Sequence, residues 1–192
     1  MNSKILPFIG ILRRDAPQND KTQGLAEIIP LMPTFLRFLM LFALVTWLGG
    51  LIFFAFVVAP TVFAPGILPS RDLAGNVVNR SLGILNTMGL VCGVVFIAAS
   101  LAYCKIVEHS VRPFSLLHIL VYLMIILTIA AQFGVAPKMA ALRADMGVID
   151  NIPQTDARRI QFNALHHWST RLGGSVLILG LGVLFLTARR LS

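Results

Sequence analysis

Leu82-Gly-Ile-Leu-Asn-Thr-Met-Gly-Leu-Val-Cys-Gly-Val-Val-Phe-Ile-Ala-Ala-Ser-Leu-Ala-Tyr103 carries no charged side chain and few polar ones. A helix rising about 1.5 Å per residue needs about 20 such residues to cross a hydrocarbon core of about 30 Å. Lipid offers the backbone no hydrogen-bond partners, so a crossing segment must satisfy its own N–H and C=O groups, as a helix does. The stretch reads as a transmembrane helix.

Three further stretches read the same way, from Phe35 to Phe63, from Phe114 to Ala136, and from Leu172 to Ala188. The last is long enough to cross only if its helix begins upstream, near Phe162. The spans expected are thus about 35–63, 82–104, 114–136 and 162–188. The runs are continuous rather than alternating, which excludes a barrel. The fold class is all-α, an integral membrane bundle of four transmembrane helices. Composition agrees: 57 % of the 192 residues are hydrophobic, 12 % are charged, and the mean hydropathy is +0.83. A water-soluble domain carries about 25 % charged residues. No internal repeat is evident along the chain.

The net charge of +8 comes from 16 Lys and Arg against 8 Asp and Glu. These charges lie between the apolar runs, where they orient helices and meet anionic headgroups. The partner they imply is the lipid bilayer, not nucleic acid. Lys4, Arg13, Arg14, Lys21, Arg37, Lys105, Arg112, Arg189 and Arg190 fall on one side, and Arg71, Arg80, Lys138, Arg143, Arg158, Arg159 and Arg171 on the other. The excess places both termini in the cytoplasm of a cell whose inner (plasma) membrane holds the protein. Residues 1–33 hold several charges and Pro7, Pro17, Pro30 and Pro33. They read as a cytoplasmic N-terminal tail, partly disordered or lying on the membrane surface. Cys92 and Cys104 sit about three turns apart on one helix, too far to bridge.

Helices in lipid associate where small residues let backbones approach. Gly89 and Gly93, Ala55 and Ala59, and Ser169 and Gly173 each make such a pair; Gly49 and Gly50 follow Trp47-Leu48. Either helix packing or a backbone pressed on a flat cofactor explains these glycines.

No Asp or Glu falls inside a span, which leaves no paired carboxylates for acid–base catalysis. The polar residues that remain are Asn86, Thr87, Gln132, His166, His167, Ser169 and Arg171, with Arg143 just beyond the third span. Because helices alternate in direction, all lie near one face of the membrane, together with Pro60, Phe63 and Pro137. Two readings stay open. Asn86, Gln132, Arg143, His166 and Ser169 line a pocket for an anion, a metal ion or a haem edge, with His166 the best single metal ligand. Alternatively, they hydrogen-bond one another and fix the bundle. His118 lies near the other face, most of a bilayer from His166. His166 and His167 point about 100° apart on the helix, so neither arrangement gives one haem two axial ligands.

Trp47-Leu-Gly-Gly-Leu-Ile-Phe-Phe54 with Val58-Ala-Pro-Thr-Val-Phe63, Pro137-Lys-Met-Ala-Ala-Leu-Arg143, and Phe162-Asn-Ala-Leu-His-His-Trp-Ser169 resemble the transmembrane protein 205-like family. The resemblance covers residues 36–190; copper-resistance D-type membrane proteins are a more distant likeness. It implies the four-helix fold and no agreed reaction. On matched positions it points to Trp47, Pro60, Gln132, Pro137, Arg143, His166 and Ser169. Three functions are compatible with these readings: a non-catalytic membrane protein serving as accessory subunit of a larger complex, a binding or transport protein for a metal ion or small molecule, and a haem-linked redox protein.

Overall fold

The computed structural model describes residues 20–109, 112–147 and 151–191. Helix α1 spans Asp20–Phe53 and passes through a π turn, Phe54–Val58, into α2, Ala59–Val62. Helix α3 spans Arg71–Val107. Helix α4, Leu116–Ile129, passes through a second π turn, Ala130–Val135, into α5, Ala136–Met146, and α6 spans Ala157–Leu191. Among the described residues four stretches are long and apolar enough to cross a membrane: Leu31–Val62, Arg71–Val107, Leu116–Met146 and Ala157–Arg190. No strand occurs among the described residues. The protein is an all-α bundle of four membrane-crossing helices. The tail reading for residues 1–19 lies outside the described residues, and α1 is already helical at Asp20.

The helix ends follow from local chemistry. Ser70 is extended (φ −148°) and its Oγ accepts the Leu73 N–H at 3.1 Å, capping α3. Asp72 in the first turn complements the helix dipole there. Helix α5 stops at Gly147, whose φ of +66° suits a residue without Cβ. Asp156 Oδ1 accepts the Arg158 N–H at 2.8 Å and so caps α6.

Each π turn precedes a proline. Pro60 and Pro137 cannot donate an N–H, and in a regular helix each ring would strike the carbonyl four residues back. The chain widens instead. The Ala59 N–H reaches Phe54 O and the Ala136 N–H reaches Ala131 O, both five residues back. Helix α5 is therefore continuous with the third span.

The bundle packs as two hairpins, α1 with α3 and α4 with α6. Met40, Ala43, Leu44, Trp47, Leu48 and Leu51 are buried at three- and four-residue steps, one face of α1. They meet the small residues of α3. A Cβ added to Gly89 would stand 2.7 Å from Trp47 Cε2, and one on Gly93 would stand 2.9 Å from Trp47 Cζ3. The indole thus lies where only glycine leaves room, as the packing reading requires. Gly50 likewise abuts Leu85, while Gly49 faces outward. Large apolar side chains such as Phe42, Val91, Ile126 and Phe185 cover the exterior, which suits lipid.

Candidate functional site

At the end of the bundle nearest the prolines, the five candidate residues form two layers rather than one pocket. In the deeper layer Asn86, 9 % exposed on α3, donates from Nδ2 to Gln132 Oε1 at 3.1 Å. Gln132 belongs to the second π turn. Beside this pair lies a void of about 30 Å³, whose lining includes Trp47, Asn86, Thr128, Ser169 and Gly173. That exceeds the roughly 10–15 Å³ that one water needs. Thr128 is buried and donates its hydroxyl to Met124 O at 2.8 Å, leaving oxygen lone pairs free to accept.

The outer layer belongs to Arg143 on α5. Its Nη1 donates to Asn76 Oδ1 at 2.8 Å, and its Nε stands 3.9 Å from Asp72 Oδ1. Its guanidinium carbon sits 5.5 Å from the centre of the Phe162 ring. The group also rests on Gly75, where an added Cβ would stand 3.0 Å from Cζ. Arg143 therefore joins α3, α5 and α6 through one planar cation. His166 lies within electrostatic reach of Arg143, and the His166 and His167 rings are 6.3 Å apart at 56°. Thr87 bonds its own helix at Gly83 O, and Arg171 covers the exposed Trp168 ring at 5.8 Å. Neither enters either layer.

Asp72, Asn76, Thr128 and Phe162 escape the sequence reading of the polar cluster. Asp72 and Asn76 fall in a stretch read as a connection, yet they occupy the first turns of α3. Their four-residue spacing on one helical face was the available signal.

The opposite end holds a second polar assembly. His118 is fully buried. Its Nδ1 lies 3.0 Å from Arg112 O and 2.7 Å from Ser115 Oγ, and its Nε2 lies 3.0 Å from Ser100 Oγ. A carbonyl only accepts, so Nδ1 carries the proton and the Ser100 hydroxyl donates to Nε2. Nε2 thus ties α4 to α3, and Nδ1 holds the connection that leads into α4. Nearby, Arg37 Nε donates to Tyr103 Oη at 3.0 Å, and Arg190 bonds Glu108 and, at 3.0 Å, Cys104 Sγ. Among the described residues no group of three His, Cys, Asp or Glu side chains is placed to hold a metal ion.

Residues 42–147 match a family described as a domain of unknown function, DUF4149. The chain belongs to the DUF4149 family. The match spans Trp47, both π turns, Asn86, Gln132 and Arg143, and ends before α6. The DUF4149 match therefore does not reach His166 and Ser169. No curated protein and no solved structure matches the chain.

Proposed function

We propose that this DUF4149 protein is a non-catalytic integral membrane protein that serves as an accessory subunit of a larger membrane complex. The reading is carried by the outer face of α1. Phe35, Phe38, Phe42, Val45, Gly49, Ile52 and Phe56 are all exposed and recur in alternating steps of three and four residues. That is the recurrence of one continuous apolar helix face, wide enough to seat a second helix. It lies opposite the face buried on α3. Phe38 and Phe42 stack at 5.8 Å, and Gly49 leaves a notch, since a Cβ there would meet nothing within 4 Å. An apolar transmembrane helix of a partner subunit fits a face of large rings around a notch.

In this reading both termini face the cytoplasm across the inner (plasma) membrane. The support is the Lys and Arg excess on that side, where Lys105, Arg189 and Arg190 stand in the last turns of their helices. The likeness to the transmembrane protein 205-like family is consistent with a small helical protein of this kind.

The test is the mass and composition of the native assembly after gentle extraction. Co-migration with other polypeptides at fixed stoichiometry, lost on Phe42→Ala with Val45→Ala, is expected. Migration of the chain alone would overturn the subunit reading.

A further inference from the structure

Phe56-Val-Val-Ala-Pro60 and Phe133-Gly-Val-Ala-Pro137 share four of five residues and one unusual conformation, a π turn closed by the alanine N–H before the proline. Counting back from each proline gives a second correspondence. Met40, Leu44, Trp47 and Leu51 fall on Leu117, Val121, Met124 and Thr128, and all eight are buried. The partner helices correspond as well. Gly89, Gly93, Phe96 and Ser100 on α3 match Val176, Gly180, Val183 and Thr187 on α6 in spacing and burial. Trp47 lies on Gly89 and Gly93; Gly180 is met by Met124 and, more closely, by Leu48 of the first hairpin. The hairpins differ chiefly in their connections, the second being longer by α5 and its loop.

We propose that the two hairpins are copies of one unit, related by an axis along the membrane normal, and that the void between them is a binding site for a small uncharged polar solute. The void lies between the hairpins, and three equivalent pairs are among the residues lining it: Leu51 with Thr128, Leu82 with Ser169, and Asn86 with Gly173. Each pair holds one polar member and one apolar or bare one. Simple packing of two copies would have kept leucine against leucine, and polar side chains inside a membrane are costly and tied to function. Two hydroxyls and a carboxamide supply donors and acceptors. No ionisable side chain lines the void, so a charged solute would enter uncompensated. Solute sites at the interface of repeated units, beside interrupted helices, are an established way to build such a site. Both interruptions stand at the same end of the bundle. The second carries Gln132, which bonds Asn86, one of the residues lining the void. Bending there separates Gln132 from Asn86 and admits the solute.

The site is independent of the accessory role and is tested on the full chain in lipid nanodiscs. Ser169→Cys, Thr128→Cys and Leu82→Cys are made singly, and those that co-migrate with wild type on size exclusion are used. Each is treated with uncharged methyl methanethiosulfonate or its charged sulfonatoethyl analogue. Labelling is read by peptide mass spectrometry, with buried Cys92 as the internal reference. The introduced thiols should label about tenfold faster than Cys92 with the uncharged reagent, because only they line an opening site. Excess formamide should slow them, and the charged reagent should leave them unmodified. Labelling no faster than Cys92, or no protection by formamide, overturns the site. Equal labelling by the charged reagent overturns the uncharged class.

Discussion

A methyl group on Gly89 has to displace the Trp47 indole, which is held between α1 and α3. Gly89→Ala should therefore cost about 1–3 kcal/mol, the usual penalty of overpacking. Gly49→Ala, on the outer face, should leave the hairpin unchanged; thermal unfolding of the two variants in one detergent checks the contrast. Asn86 and Gln132 bond only each other across α3 and the second π turn. A double-mutant cycle to alanine should give a coupling of about 0.6–1.7 kcal/mol, the range of interhelical hydrogen bonds in membranes. Additive losses would show that the pair is not coupled. At this scale the sequence exposed Asn86, Gln132 and Ser169, because a polar side chain inside an apolar run stands out. It hid Asp72 and Asn76, because a polar residue between runs looks like any loop residue until a helix is seen to carry it towards Arg143.

The bends are features of elements. Pro60→Ala and Pro137→Ala each supply an N–H that can restore a regular turn. Amide exchange over residues 54–62 and 130–139 should then slow, and by comparable amounts, as measured by exchange mass spectrometry. Unchanged exchange would mean that the π turns do not depend on the prolines. The start of α6 responds to pH. Hydrogen bonds from Arg158 hold the Asp156 carboxyl below the usual carboxylate range. A group whose folded pKa is depressed stabilises above its unfolded value and loses that contribution as pH falls through the folded one. Asp156→Asn should thus lower thermal stability at neutral pH, and the gap to wild type should close in strong acid. The spans were legible because hydropathy accumulates over about 20 residues. The π turns were not, because a shift of one hydrogen-bond register leaves composition untouched; only the recurring Val-Ala-Pro marked them.

For the molecule as a whole, α1 packs most extensively on α3 and α4 on α6, while Leu48 on Gly180 and Ile125 on Gly93 join the hairpins through apolar contacts. His118 with Ser100 at one end and Arg143 with Asn76 at the other join the two halves. A chain divided in the connection between α3 and α4, with both parts expressed together, should co-purify as a pair. Recovery of the halves only separately would show that covalent linkage, not packing, holds them. Four crossings could be read from the apolar runs, whereas their pairing could not, since α4 and α6 are joined by the longest connection. The division of the polar cluster into two layers could not, since depth along a helix depends on where that helix begins.

Asn86 also bears on the order of synthesis. It leaves the ribosome well before Gln132, so the first hairpin reaches the bilayer with a carboxamide that has no mate. An unmatched amide in lipid is a standing penalty that ends when the fourth-to-be-paired surfaces close over it. The growing chain thereby carries, in its first half, the free-energy bias that recruits its second half during insertion.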